Sequence, residues 1–187
     1  MFKYLYKVLN FIIPQYRRCY LKKKVKLHRR SQIVHPKNLN IGEYVYIGPH
    51  CFINAEGGIS IGCGTIIAPD VVILSSTHSY NTGQLMPYDI YDEHRPVTIG
   101  KGVWIGYRAM ICPGVTISDG AVLAMGAVVT KSVAEGAVVG GNPAKDISHR
   151  EGNEFIELIA QQQFLQKKYF LGDRPKEPLP TPMIHNP

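Results

Sequence analysis

An aliphatic residue recurs at every sixth position through the middle of the chain. A period of six fits neither the 3.6-residue turn of an α-helix nor a simple meander of hairpins, but it fits short strands separated by corners. We therefore predict twelve strand-and-corner units wound around a prism, with the aliphatic side chain of each unit pointing inward. The recurring residues are Ile41, Ile47, Ile53, Ile61, Ile67, Ile73, Ile99, Ile105, Ile111, Ile117, Leu123 and Val129.

The six-residue frame is interrupted twice. With three units in each coil, the units beginning at 41, 61, 99 and 117 stack on face 1, those at 47, 67, 105 and 123 on face 2, and those at 53, 73, 111 and 129 on face 3. Two extra residues follow the unit of Ile53, and a long insert, residues 79–98, follows the unit of Ile73. Both interruptions follow face 3, so both are expected at one corner, and loops gathered at one edge of a rigid scaffold often carry function.

Seven short motifs lie within residues 40–150: T-H-S-Y-N at 77–81, P-Y-D at 87–89, P-V-T-I-G at 96–100, V-W-I-G at 103–106, P-G-V-T-I at 113–117, V-V-T-K at 128–131 and G-N-P-A-K at 141–145. In order and spacing they resemble the hexapeptide-repeat acetyltransferases. The resemblance is closest to the galactoside and maltose O-acetyltransferases and to the polysaccharide O-acetyltransferases. It implies an all-β fold, a left-handed parallel β-helix with three units per coil. The handedness comes from the resemblance, because general crossover rules favour the opposite hand.

The chain divides into three parts. Residues 1–37 form a basic N-terminal arm with a helix, residues 38–150 the β-helix with its inserted loop 79–98, and residues 151–187 a short C-terminal helix and a Pro-rich tail. The arm holds eleven Lys and Arg and no acid, whereas the rest of the chain has ten Lys and Arg against fourteen Asp and Glu. This charge and the interleaved aromatic residues suit peripheral contact with an anionic membrane; the alternative is a cap over the first coil.

The compartment expected from the sequence is the cytoplasm, with a peripheral position at the inner face of the membrane. The apolar stretches of the arm are too short for a signal sequence or a membrane span, so we expect no cleaved signal and no transmembrane helix. Four cysteines without a C-x-x-C pair favour a reducing environment.

His78 is the candidate general base. It lies where the insert begins, and the resemblance assigns that role to the matching histidine. An alcohol that attacks a thioester must lose its proton as the C–O bond forms, and neutral imidazole accepts protons near physiological pH. The residue that orients His78 stays open among Asp89, Asp92, Glu93 and His94.

Other site residues are implied by the same resemblance. Asn54, Asn81, Tyr88 and Asp89 are expected to bind the acceptor substrate. The residues expected to bind acetyl-CoA are Trp104, Tyr107, Met125, Lys131 and Lys145. The alternatives are a turn role for Asn54, packing for Trp104 and solvated positions for Lys131 and Lys145.

A covalent cysteine and a metal centre are the rival chemistries. Cys51, Cys63 and Cys112 occupy repeat positions that Val, Gly or Ala fill elsewhere, which favours packing. The γ-type carbonic anhydrases share the prism fold but hold zinc with three histidines. His50 and His78 fall on different faces, so we expect no metal.

The function predicted from the sequence is O-acetyl transfer from acetyl-CoA to a hydroxyl of a sugar or polysaccharide precursor, directly and without an acyl-enzyme. The active sites are expected between the subunits of a homotrimer, with no nucleic-acid partner. One alternative is acyl transfer from an acyl carrier protein. Another is a non-catalytic β-helical scaffold whose arm binds anions.

Overall fold

The computed structural model describes residues 24–81 and 85–173, which form a three-faced parallel β-helix. Face 1 consists of β3 (Leu39–Ile41), β6 (Ile59–Ile61), β11 (Val97–Ile99) and β14 (Thr116–Ile117). Face 2 consists of β1 (Lys26–Leu27), β4 (Tyr46–Ile47), β7 (Ile66–Ile67), β12 (Trp104–Ile105), β15 (Val122–Leu123), β17 (Ala137–Gly140) and the antiparallel β18 (Lys145–His149). Face 3 consists of β2 (Gln32–Val34), β5 (Phe52–Asn54), β8 (Val72–Leu74), β13 (Met110–Ile111) and β16 (Val128–Val129).

The strand register confirms the six-residue frame and the all-β fold class. On face 3, Ile53 pairs with Ile73 in the next coil, and Ile73 pairs with Ile111. These isoleucines are at most 1% exposed, so the predicted inward positions form one continuous core along the prism axis. The small residues at the corners let the backbone turn tightly around that core.

The prism begins earlier than the sequence analysis expected. β1 and β2 lie within residues 1–37, yet they pair in parallel with β4 and β5 of the following coil. Leu27 and Ile33 occupy the inward positions of this first coil. The lysines and arginines around them make the six-residue spacing hard to recognise in the sequence. Residues 24–37 therefore belong to the β-helix. A helix was expected within residues 1–30; residues 24–30 hold β1 and turns instead, and the part before residue 24 lies outside the described residues, as does the Pro-rich tail after residue 173.

Both interruptions of the repeat emerge where face 3 turns into face 1, which we call the 3/1 corner. The 2/3 corner and the 1/2 corner are named in the same way. The insert is held at its base by an antiparallel hairpin of β9 (Ser76–His78) and β10 (Asp92–His94). A short 3-10 turn, Pro36–Asn38, occupies the same corner in the first coil.

The predicted C-terminal helix is two short helices, α1 (Glu154–Ala160) and α2 (Leu165–Phe170). Together they form a C-terminal strap, residues 154–170, that runs back along the 1/2 corner from the last coil to the first. Phe155 lies against Gly136 and Gly120. Further along, Phe164 lies against Gly64, and the ring of Phe170 lies 6.3 Å from that of Tyr44.

Glycine at the 1/2 corner is required by both backbone and packing. Gly64 has a φ of +73°, and a Cβ there would lie 2.1 Å from the ring of Phe164. The ring thus fits against the corner only because the side chain is missing.

Phe164→Ala is expected to destabilise the fold by about 3 kcal/mol, because it empties the contact that seats the strap. Phe164 is only 5% exposed, the most buried residue of the strap. The midpoint of denaturant unfolding measures the loss. Leu158→Ala, in the same strap but half exposed, is the matched control and should change stability much less.

No helix in the described ranges is long and apolar enough to cross a membrane.

Candidate active site

His78 lies at the end of β9, directly opposite Asp92 of β10. Opposed residues of an antiparallel pair project to the same side of the sheet, and here Nδ1 of His78 lies 2.6 Å from Oδ1 of Asp92. The ring of Tyr88 stacks on the imidazole, with 4.0 Å between the ring centroids and 10° between their planes. The carboxylate and the phenol ring therefore fix both the direction and the plane of the imidazole.

The contact with Asp92 determines which nitrogen of His78 can act as a base. A carboxylate only accepts hydrogen bonds, so Nδ1 carries the proton and donates a hydrogen bond to Asp92. In the neutral ring, Nε2 then presents its lone pair. The His78 side chain is 57% exposed, which leaves this nitrogen accessible to a substrate hydroxyl.

Asn54 belongs to a polar network beside the hairpin, at the 3/1 corner. Its Nδ2 donates to Oγ of Ser76 at 3.3 Å, and that hydroxyl donates to Oε2 of Glu56 at 2.8 Å. Nδ1 of His35 lies 3.3 Å from Oδ1 of Asn54. Ser76 and His78 are two residues apart on one strand and share a face, so the structure brings Asn54 to the side of the hairpin on which His78 lies.

The remaining predicted acceptor residues lie in the insert in different environments. Tyr88 covers the His78 ring, and Asn81 is exposed at the edge of the described part of the insert. Asp89 is buried, and its Oδ1 accepts the backbone N–H of Ile90 at 2.7 Å. The geometry gives Asp89 a role in holding the insert together.

Tyr107 and Met125, two of the residues expected to bind acetyl-CoA, lie at the 2/3 corner, across the width of face 3 from His78. They are in adjacent coils, where the Gly126 N–H donates to the Tyr107 carbonyl at 2.8 Å. A hydrogen bond with Asp70 raises the pKa of the Tyr107 phenol. One chain therefore does not bring these residues to His78.

Trp104 and the two predicted lysines are also separated from one another. Trp104 lies on face 2, is 55% exposed and lines a cavity of about 220 Å³ with Phe164 and Leu165 of the strap. Lys131 and Lys145 line a different cavity of about 340 Å³ at the C-terminal end of the prism. The two ammonium groups, both exposed, could face an anionic group there.

Cys51 and Cys112 pack on the core, whereas Cys63 is only partly buried. Cys51 is buried, and burial raises the pKa of its thiol, which disfavours the thiolate needed for covalent catalysis. Cys112 packs against the core cluster. Within residues 24–81 and 85–173, no group of three or more His, Cys, Asp or Glu side chains could hold a metal ion.

Asp92, Ser76 and Glu56 are the site residues that sequence reasoning did not single out. Asp92 was one of four candidates to orient His78, and the register of the hairpin selects it. No periodic signal sets that register, because the insert departs from the six-residue frame. Glu56 lies at the corner where the two extra residues enter between Ile53 and Ile61, so its position at the functional corner was the available signal.

Sequence comparisons identify the repeat and its relatives. Residues 96–131 match the family described as the hexapeptide repeat of succinyl-transferase. The chloramphenicol acetyltransferase of Morganella morganii is 42% identical over 76 residues, 41% of this chain and 36% of that protein. The galactoside O-acetyltransferase of Escherichia coli is 34% identical over 117 residues, 63% of this chain and 56% of that protein. The chain thus spans between about a third and just over half of these relatives.

Solved structures share the fold over more of the chain. A maltose O-acetyltransferase from Clostridium difficile superposes with a TM-score of 0.64 at 27% identity, covering 80% of this chain and 84% of that chain. A galactoside acetyltransferase in complex with coenzyme A superposes with a TM-score of 0.51 at 26% identity, covering 74% of this chain and 71% of that chain.

Proposed function

We propose that this chain transfers an acetyl group from acetyl-CoA to a hydroxyl of a sugar or polysaccharide precursor. The premise is that it is a hexapeptide-repeat protein that resembles the O-acetyltransferases in sequence and fold. The observation that carries the proposal is His78, held by Asp92 and Tyr88, with no partner for Nε2 among the residues that the structure describes. A scaffold protein would have no need of an imidazole fixed in this way at an exposed corner.

In the proposed mechanism His78 moves one proton and forms no covalent bond. Nε2 takes the proton from the acceptor hydroxyl as its oxygen attacks the thioester carbonyl. The new C–O bond forms, the C–S bond breaks, and the departing thiolate of CoA recovers the proton from the imidazolium. Asp92 keeps Nδ1 protonated throughout and stabilises the transient positive charge on the ring.

Acetyl-CoA is the donor we favour over an acyl carrier protein. The related galactoside acetyltransferase binds coenzyme A in its crystal structure. The cavity lined by Lys131 and Lys145 offers two cations, against the single carboxylate of Asp146, for the phosphates of such a nucleotide. A carrier protein would instead need an extended docking surface beside that cavity.

A homotrimer would complete the site, and face 3 is the surface through which we expect it to form. From the second coil onward, the outward positions of face 3 form a row of neighbouring apolar side chains, Phe52, Val72, Met110 and Val128, while the first coil places Gln32 in that row. The corresponding row on face 1 is polar: Asn40, Ser60, Thr98 and Thr116. Face 2 also carries apolar side chains, but the strap lies beside two of them, Ile66 and Trp104, with which it lines a cavity.

The two edges of face 3 explain why this assembly suits catalysis. His78 lies at its 3/1 corner, and Tyr107 and Met125 lie at its 2/3 corner. If three prisms turn face 3 toward a common three-fold axis, the 3/1 corner of one chain meets the 2/3 corner of the next. Each proposed site then combines the base of one chain with the cofactor contacts of another.

The acceptor is proposed from the polar network around Asn54, Ser76 and Glu56. Side chains that donate and accept hydrogen bonds suit the hydroxyls of a sugar, and this network lies beside His78. The cytoplasm remains the expected compartment, and the membrane contact of residues 1–37 remains a prediction.

Incubating the full chain with acetyl-CoA and separate sugar, oligosaccharide and chloramphenicol acceptors tests the proposal. We expect release of free CoA that depends on a sugar acceptor and a product heavier by one acetyl group in mass spectrometry. Turnover with chloramphenicol alone would overturn the sugar assignment. Turnover with acetyl-loaded carrier protein but not with acetyl-CoA would overturn the donor.

Asp92→Asn is expected to lower kcat by about tenfold or more, because an amide can present either its oxygen or its NH₂ to Nδ1 and no longer fixes the tautomer of His78. The KM for acetyl-CoA should stay close to that of the unmodified protein. Glu93→Gln, the next residue on β10, is the matched control. Equal kcat values for the two variants would show that Asp92 does not position the base.

A further inference from the structure

The C-terminal strap brings the end of α2 to the first coil of the prism. It places residues 167–171 beside residues 24–46, although more than a hundred residues separate these segments in the chain. The meeting point is Tyr44, whose ring is packed by Phe170 and is only 6% exposed overall.

Lysines from both segments gather around tyrosine rings at this point. Nζ of Lys24 donates to the Tyr44 hydroxyl at 3.0 Å and lies 5.1 Å from the ring centroid. Nζ of Lys167 lies 5.9 Å from the same centroid, and Nζ of Lys26 lies 5.5 Å from that of Tyr46. The Tyr44 hydrogen bond raises the pKa of Lys24. The lysine stems are thereby held in a fixed direction while their charges stay near solvent.

Exposed apolar side chains lie next to these cations. Tyr169 and Phe170 are each about two-fifths exposed, and Leu171 is 67% exposed. A shallow cavity of about 350 Å³ opens between Lys26 of the first coil and Tyr169 and Phe170 of α2. We call this region the first-coil surface; it consists of Lys24, Lys26, Lys167, Lys168, Tyr169, Phe170 and Leu171.

We propose that the first-coil surface binds an anionic lipid bilayer. Cations beside exposed aromatic and aliphatic groups match the two layers of a membrane interface, with phosphates outside and acyl chains below. Two acids lie beside the surface: Glu43 acts on Lys24, and the Asp173 N–H donates to the Lys168 carbonyl; the four lysines outnumber them. The sequence before Lys24 adds six Lys and Arg and no acid, so the surface lies where the chain is most basic.

A bilayer fits this surface better than a nucleic acid does. Non-specific nucleic-acid binding depends on contacts with phosphates. It does not require exposed apolar side chains such as Leu171 and Phe170. Those side chains gain stability by entering the acyl region of a membrane. This membrane contact differs from one made by the basic N-terminal arm alone, because α2, near the other end of the chain, supplies part of it.

Co-sedimentation of the full chain with vesicles tests the proposal. The vesicles are phosphatidylcholine alone or phosphatidylcholine mixed with phosphatidylglycerol, at low and high salt. We expect binding to the anionic vesicles only, weakened by salt. Lys168→Glu should weaken it about tenfold or more, whereas Lys101→Glu, the same charge reversal on an exposed lysine in the fourth coil, should weaken it much less.

Leu171→Ser separates a bilayer from a nucleic acid as the partner. It keeps every charge and removes an exposed apolar group, so it should lower vesicle affinity several-fold and leave any binding to duplex DNA unchanged. Equal losses for Lys168→Glu and Lys101→Glu would overturn the proposal. So would equal binding to neutral and anionic vesicles, or binding to duplex DNA without binding to vesicles.

Discussion

Replacing His78 with alanine is expected to lower kcat for acetyl transfer by about 10²- to 10⁴-fold, the usual contribution of a positioned general base. The side chain is more than half exposed and lies where the insert begins, outside the isoleucine core. The variant should therefore fold and assemble like the unmodified protein. Steady-state kinetics with a sugar acceptor, together with the circular dichroism spectrum and the thermal midpoint, measure both parts of the prediction.

A histidine elsewhere on the prism provides the control for this experiment. His28 lies in the first coil, away from the insert, and His28→Ala removes the same group. It should retain near-normal kcat, so a large loss confined to His78→Ala identifies the base. A His78→Ala protein that folds normally and retains full turnover would show that another group removes the proton.

A double substitution at Asp92 and His78 tests whether Asp92 acts only through His78, which neither single substitution can show. If Asp92 acts only through His78, then Asp92→Asn should have little further effect in a chain that already carries His78→Ala. Residues that act as a unit are non-additive in this way. A full additional loss in the double variant would mean that Asp92 touches the substrate itself.

The prism was predictable from the sequence because its repeat is both local and physical. Each inward position is filled by an aliphatic residue, so the spacing of Ile99, Ile105 and Ile111 is enough to assign three successive faces. The first coil shows the limit of that reasoning. Leu27 and Ile33 satisfy the same rule, but the lysine and arginine positions around them are typical of a solvated arm.

The candidate site was predictable only in part. The position of His78 follows from the frame, because it is the last residue of the unit that precedes the insert. Its partner does not, because the antiparallel register of β9 and β10 depends on the length and packing of the insert. The burial of Asp89 is likewise a tertiary effect, which no local pattern indicates.

The separation of the predicted residues among different corners is the most informative difference from the sequence expectation. Sequence resemblance groups His78, Tyr107 and Met125 into one site, whereas the fold places His78 at one edge of face 3 and the other two at the opposite edge. The grouping and the separation of these residues are compatible if the site is shared between chains. The assembly is then a requirement of the chemistry, and disrupting face 3 should abolish activity without touching a catalytic group.

Val72→Lys is expected to convert the protein into a folded monomer with acetyl-transfer activity reduced about a hundredfold or more. Val72 points outward at the middle of the apolar row on face 3, between Phe52 and Met110. A lysine there would bury an unpaired charge in the proposed interface, whereas in a single chain it can extend into water. The two half-sites would then no longer be held together, and the advantage of fixed proximity would be lost.

Multi-angle light scattering and steady-state kinetics on the same sample measure the two effects of this substitution. Thr98→Lys places the same charge at an outward position of face 1, whose row is polar, and should remain trimeric and active. A Val72→Lys monomer with normal turnover would show that one chain holds a complete site. A monomeric unmodified protein with full activity would lead to the same conclusion, and the apolar row of face 3 would then require a different partner.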